Sequence, residues 1–301
     1  NNNNNICRRD VHLTACLMAA NFCSAVGIVV VNKALFRRGD GVRFATILTA
    51  LHLFATAAGV RLCHAFGTYE VKSLRQTQVL PITMCFCAFV VFSNMNLQRN
   101  GVSFYQLTKI LTTPVVVILQ RIFYRVTLPR NLAMNLVPIC LGVAMATVSD
   151  TGVSMEGAFW ALAGLLAAAA YQVLVKSKQG ILQASSLQLL HYQAPQAACF
   201  VLVASPLFDD TGELLSLVRD CFVAEKWAWS ASSSLVEGED GVMVWAAMVF
   251  LSCSLAFVVN LTTFLVIGRT SPVSYQVLGH FKLVVILTAG ITVFGESASP
   301  W

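Results

Sequence analysis

The chain has 301 residues, of which 57% are hydrophobic and 11% are charged, and its formal net charge is +6. Soluble domains carry about 25% charged residues, so this composition excludes an ordinary soluble protein and indicates an integral membrane protein. Membrane topology accounts for the positive charge, and no nucleic-acid partner is needed to explain it.

Nine apolar stretches follow one another along the chain. A helix needs about 20 apolar residues to cross a hydrocarbon layer of about 30 Å. Continuous runs of this kind argue against a β-barrel, whose strands are alternating segments of about ten residues. The sequence therefore predicts an all-α, polytopic helical bundle. Its predicted spans are residues 11–34, 43–66, 77–97, 102–122, 131–149, 155–175, 185–207, 242–267 and 271–294.

Basic residues outside the spans predict the orientation. With a cytosolic N-terminus most of them fall on the cytosolic side, which fits the positive-inside tendency. The same topology places the long segment 208–241 as a loop on the non-cytosolic side, which is the lumen if the membrane belongs to an organelle. The basic residues on the predicted cytosolic side are Arg8, Arg9, Arg61, Lys72, Arg75, Arg121, Arg125, Arg130, Lys176, Lys178 and Arg269.

Two segments of the chain resemble each other, namely SFYQLTKILTTPVVVI (103–118) and VSYQVLGHFKLVVILT (273–288). Their Tyr-Gln pairs coincide at an offset of 170 residues, and each segment contains one intramembrane lysine, Lys109 or Lys282. If spans four and nine correspond, the repeat unit is five helices, and an odd unit inverts its partner across the membrane.

This repeat predicts one transporter domain over residues 1–301 with two inverted five-helix halves. The first half is 11–149, and the second is 155–294. Because the repeat unit has five helices, a tenth helix paired with span five is expected beyond the nine that are present. The chain starts without methionine and both of its ends look cut, which fits this expectation.

The two lysines are the strongest functional signal. An intramembrane lysine costs about 2.5–3.5 kcal/mol on insertion scales, and none of the 14 acidic residues lies convincingly inside a span. A site with two cations and no anion favours an anionic ligand, and a lysine ammonium suits phosphate. The alternative is that hydroxyls, amides and helix carbonyls solvate each ammonium without a substrate.

Helical spacing places polar residues beside the lysines. Phenol, amide and hydroxyl groups can orient a sugar or a base, and an aromatic face can stack on one. The residues that share these faces are Tyr105, Gln106, Thr112 and Thr113 on span four and Tyr275, Gln276 and Gly279 on span nine.

Further candidates lie on spans one and seven. They are Asn32, Lys33, Tyr192 and Gln193. For Lys33 the alternative is that its side chain reaches the membrane interface, and for Tyr192-Gln193 it is hydrogen bonding between helices. For the similar Tyr171-Gln172 pair on span six, the interhelical interpretation is favoured.

Enzymatic chemistry has little support in the sequence. No predicted span contains an aspartate, no Ser/His pattern supports a hydrolase, and the ten cysteines lack metal-binding spacing. The sequence therefore predicts no catalytic residues, no metal and no cofactor.

Four segments resemble the nucleotide-sugar and triose-phosphate translocator family of the drug/metabolite transporter superfamily, nearest to the E branch of the solute carriers and to plant UDP-galactose and UDP-rhamnose carriers. These segments are SAVGIVVVNKALF (24–36), FVVFSNMNLQRNGVSFYQLTKILTTPVVVI (89–118), SLQLLHYQAPQ (186–196) and FLVIGRTSPVSYQVLGHFKLVVI (264–286). The resemblance implies a ten-helix inverted-repeat antiporter of the Golgi or endoplasmic reticulum. It further implies nucleotide sugar and nucleoside monophosphate as substrates, and the sequence is compatible with a homodimer.

The resemblance also assigns residues. It implies that Lys282 contacts phosphate, that Gly279 is the small residue near it, and that Lys109 is the lysine of the span-four motif. Leu283 stands where plastid phosphate exchangers have an arginine, which weakens a plastid sugar-phosphate/phosphate antiporter as the alternative. A non-transporting regulatory membrane protein is the other alternative.

Overall fold

The structure is a bundle of long helices. The computed structural model describes residues 2–38, 45–100, 102–126, 155–209 and 239–294, together with positions 134, 138 and 141. The eight helices in these ranges are α1 (Asn2–Arg38), α2 (Ala45–Ala65), α3 (Gln76–Arg99), α4 (Val102–Tyr124), α5 (Met155–Ile181), α6 (Ser186–Ala204), α7 (Glu239–Arg269) and α8 (Pro272–Phe294), with a 3-10 turn at Ser205–Leu207.

Eight of the nine predicted spans coincide with these helices. Helices α1, α2, α3, α5 and α7 contain segments long and apolar enough to cross a membrane, while α4, α6 and α8 are 23, 19 and 23 residues long. These lengths suit a bilayer, so the chain is a polytopic helical membrane protein. Nearly all of span 131–149 and most of the predicted loop 208–241 lie outside the described residues.

Small side chains lie where the helices contact one another. Ala50 and Leu53 of α2, for example, pack with Ala197, Ala198 and Val201 of α6. In lipid, helices associate through close packing, and small residues let their backbones approach. These buried alanines therefore serve as a contact surface inside the bundle.

Several large apolar side chains of α8 point outward, whereas its lysine points inward. Val277, Phe281 and Val284 are 46%, 65% and 63% exposed, whereas Lys282 is 8% exposed. This is the reverse of a soluble amphipathic helix, which buries its apolar face. It is the arrangement expected of a helix that contacts lipid on one side and a polar interior on the other.

Charged side chains stabilise helix ends at both ends of the bundle. Between α2 and α3, Lys72 Nζ donates to the carbonyl of Leu182 at 2.9 Å, next to the end of α5. At the opposite end, the Asp209 carboxylate accepts from the backbone N–H groups of Thr46 at 3.2 Å and Ile47 at 2.7 Å, where α2 begins. Each charge has the sign that the helix dipole favours at that terminus.

A close contact between α2 and α7 gives a stability prediction. A Cβ on Gly59 would lie 2.7 Å from two ring carbons of Phe257, so Gly59→Ala forces the ring to move. We expect Gly59→Ala to lower the free energy of unfolding by about 1–3 kcal/mol, measured as a lower Tm in detergent.

The matched control for this prediction is Gly180→Ala in α5. A Cβ at Gly180 has no other atom within 4 Å, and alanine favours a helix over glycine, so we expect its Tm to be unchanged or higher. Equal losses for the two variants would contradict the packing explanation.

Candidate functional site

Lys282 lies at the junction of α1, α7 and α8. Its Nζ donates to Oδ1 of Asn21 on α1, and it lies 4.9 Å from the centroid of the Tyr275 ring, two turns earlier on α8. Among the residues described, no carboxylate forms an ion pair with this ammonium. The group is held by an amide and an aromatic ring, and neither of them neutralises its charge.

Asn21 is completely buried and its amide has a defined orientation. Its Nδ2 donates to Oγ1 of Thr262 at 2.8 Å and of Thr263 at 3.2 Å, both on α7. The Thr262 hydroxyl itself donates to the carbonyl of Val258 at 2.6 Å, so it accepts from the amide. The amide oxygen of Asn21 therefore faces Lys282.

Lys109 has a different environment. It lines a small cleft between α3, α4 and α5, and its Nζ lies 4.2 Å from the centroid of the Tyr105 ring. Lys109 is not enclosed by protein as Lys282 is, because its side chain is exposed where this cleft opens. The polar residues that line the cleft with Lys109 are Ser93, Asn96, Tyr105, Thr108 and Thr112.

The two lysines share a local arrangement but no common partner. Each ammonium lies over a tyrosine of its own helix, and Tyr105 and Tyr275 are the tyrosines that coincide in the sequence match. Such cation–π contacts stabilise an ammonium without removing its charge. The described contacts of Lys109 and of Lys282 have no residue in common.

The helices that carry the two lysines contact each other directly. Thr113 of α4 and Nε2 of His280 on α8 are 2.8 Å apart and share a hydrogen bond. Thr113 is buried and lies one turn after Lys109, and His280 lies two residues before Lys282. This contact therefore joins α4 and α8 close to both lysines.

Gln276 and Gly279 lie on the same helix as Lys282 and have different surroundings. Gln276 Nε2 donates to Oε1 of Gln172 on α5 at 3.0 Å, which is the interhelical hydrogen bond predicted for Gln172. A Cβ on Gly279 would meet only the Gln276 side chain, at 3.8 Å. Gly279 thus leaves room on α8 one turn before the lysine.

Asn32 belongs to a different polar cluster. Its Oδ1 accepts from the hydroxyl of Ser252 on α7, and that hydroxyl lies 2.8 Å from Nε2 of His52 on α2. Asn32 is about 16 Å from Asn21 along the axis of α1, at 1.5 Å per residue. The structure therefore does not bring Asn32 to Lys282. Two predicted site residues have side chains outside the described part of the chain, namely Lys33 and Gln106.

Tyr192 anchors a loop, whereas Gln193 has an unused donor. The Tyr192 hydroxyl donates to the carbonyl of Lys72 at 3.0 Å and accepts from the N–H of Leu74 at 3.4 Å. Gln193 is buried, and its Nε2 has no hydrogen-bond partner among the described residues. Buried amides are nearly always paired, so Gln193 remains a candidate donor to a ligand.

Sequence reasoning missed several residues around Lys282. Asn21, Thr262, Thr263 and His280 were not candidates, yet the first contacts the ammonium and the next two orient that contact. The available signal for Asn21 was a single amide at the centre of an apolar span. His280 was visible between the tyrosine and the lysine of span nine.

The fold defines the class as a polytopic helical membrane protein, and its interior lysine, which has no carboxylate partner among the described residues, marks a candidate functional site. The sequence model of the triose-phosphate transporter family matches residues 13–301, and the chain belongs to this family. It is 32% identical to UDP-xylose transporter 2 of Arabidopsis thaliana over 282 residues, which cover 94% of this chain and 74% of that protein. It is 30% identical to UDP-rhamnose/UDP-galactose transporter 2 of the same plant over 281 residues, which cover 92% and 74%.

Proposed function

We propose that this protein exchanges a nucleotide sugar, with a UDP-sugar favoured, for a nucleoside monophosphate across a Golgi or endoplasmic reticulum membrane. In this proposal the N-terminus is cytosolic. The observation that carries it is Lys282, a buried ammonium whose described partners are an amide and a ring. The names of the related plant transporters add support, since each specifies UDP-sugars.

The polar groups of the two lysine helices suit this substrate. Hydrogen bonds between an ammonium and a phosphate are charge-assisted and stronger than those to a neutral amide. Lys282 and Lys109 would neutralise the diphosphate, while Tyr105, Tyr275 and Gln193 would contact the base and the sugar. Room for a ligand beside Lys282 is left by Gly279.

The helix contacts support two inverted halves. Exchanging α1 with α5, α2 with α6, α3 with α7 and α4 with α8 converts the two most extensive interfaces, α3–α5 and α1–α7, into each other. The same exchange interconverts α2–α7 with α3–α6 and leaves α2–α6 and α4–α8 unchanged. Any two-fold repeat requires this pattern, and we take the repeat as inverted because its predicted unit has an odd number of helices. Rocking of the halves around a central site would give alternating access.

The test is uptake by liposomes that contain the purified full chain and internal UMP. We expect saturable uptake of labelled UDP-sugars, compared across UDP-xylose, UDP-galactose and UDP-rhamnose, and no uptake of triose phosphate. Protein-free liposomes are the control. Uptake of triose phosphate against internal inorganic phosphate, with none of UDP-sugars, would favour the plastid-type alternative. No uptake of either would favour the regulatory protein.

A further inference from the structure

Asn21 occupies one of the hydrogen-bonding positions of the Lys282 ammonium. Its oxygen accepts from the ammonium, and its own amide protons are held by Thr262 and Thr263. A phosphate that binds the same N–H group of Lys282 competes with this amide oxygen. Because phosphate is charged and the amide is not, the phosphate makes the stronger hydrogen bond.

The neutrality of Asn21 has an electrical consequence. An asparagine satisfies one N–H of the ammonium but leaves the positive charge uncompensated, whereas an aspartate of nearly the same shape would neutralise it. The chain has 14 acidic residues, and among those described none pairs with Lys282. The empty site therefore keeps its charge.

The contact also joins two elements of the bundle. Asn21 lies on α1 and Lys282 on α8, so the bond between them connects helices from the two halves of the chain. At Lys109 the facing helix α5 contributes Ala161, Gly164 and Ala168, whose side chains contain no acceptor. Among the contacts described, Lys109 lies against Tyr105 of its own helix, whereas Lys282 also donates to a side chain of α1.

We infer that Asn21 holds the Lys282 ammonium while the site is empty, releases it to a phosphate group of the substrate, and by remaining neutral makes return of the empty carrier unfavourable. Asn21 is then a positioning residue that enforces exchange. This inference rests on the proposed function, because it assigns a role within the exchange cycle.

The test is Asn21→Asp in the full chain, reconstituted in liposomes with and without internal UMP. A carboxylate at this position pairs with Lys282 and competes with phosphate. We expect the KM for UDP-sugar to rise at least tenfold, and uptake into UMP-free liposomes to approach the UMP-loaded rate. The matched control is Asn260→Asp, which places the same charge on α7 where Asn260 donates to Thr56 of α2 at 3.0 Å. We expect it to remain dependent on UMP.

The outcomes separate the inference from the proposed function. If wild-type protein takes up no UDP-sugar in UMP-loaded liposomes, the proposed function is wrong. If wild-type protein exchanges but Asn21→Asp protein depends on UMP as strongly as wild type, the inference is wrong and the proposed function stands. The inference is also wrong if Asn260→Asp protein loses its dependence on UMP, because any added carboxylate would then be enough to remove that dependence.

If Asn21→Asp protein aggregates during gel filtration, a second variant tests the inference in its place. Asn21→Ala removes the acceptor that competes with phosphate, so we expect UMP to bind about tenfold more tightly, with uptake still dependent on internal UMP. The binding is measured from the UMP concentration dependence of Tm. Unchanged or weaker binding of UMP would overturn the inference.

Discussion

Lys282→Ala is expected to reduce uptake of UDP-sugar at least a hundredfold, to the rate of protein-free liposomes. Lys282 supplies the buried charge that contacts phosphate in the proposed mechanism, and an alanine leaves the diphosphate without its counter-charge in an apolar interior. UMP should no longer stabilise the Lys282→Ala protein, which is measured as the loss of the UMP-dependent rise in Tm.

The Tm of ligand-free Lys282→Ala protein should stay near that of wild type. The variant loses one hydrogen bond to Asn21, but it also removes the cost of burying an unpaired ammonium. Arg121→Ala is the matched control, since Arg121 is an exposed cation in the last turn of α4, and its uptake should equal wild type. Lys282→Ala protein that transports at the wild-type rate would exclude a phosphate contact at this lysine.

The helices were largely predictable because apolar runs determine them. Eight of the nine predicted spans coincide with helices, since a run of about 20 apolar residues has few alternatives to a membrane helix. The burial of Lys282 was predictable for the same reason: the charge lies mid-span, where an inward position is the least costly.

The partners of the site residues were not predictable from local patterns. Asn21 and Lys282 are 261 residues apart in the chain, and their contact depends on how α1 packs against α8. Lys109 and Lys282 occupy comparable positions in the matched segments, yet one is exposed and the other buried. Helical spacing states which residues share a face, and only the packing of the bundle decides what that face contacts.

Tyr192 illustrates a second limit. Its Tyr-Gln pair resembles those beside the lysines, and the sequence left open whether it binds substrate or another helix. The structure uses its hydroxyl to bond the backbone of Lys72 and Leu74. A recurring dipeptide therefore has different roles on different helices, and the difference depends on which groups, such as unpaired backbone N–H and C=O groups, lie nearby.

Uptake of UDP-sugar is expected to be about a hundredfold slower in liposomes without internal UMP than in liposomes that contain it. The empty carrier must reorient with Lys282 uncompensated, and an intramembrane lysine costs about 2.5–3.5 kcal/mol. Each 1.36 kcal/mol in a barrier changes a rate about tenfold, so this cost corresponds to about two orders of magnitude. Liposomes that contain uridine are the control: uridine lacks the phosphate that Lys282 requires, so it should not restore uptake. Compensation of the lysine charge does not limit the return step if uridine restores uptake to the same rate as UMP does. The same conclusion follows if liposomes without UMP take up UDP-sugar as fast as liposomes that contain it.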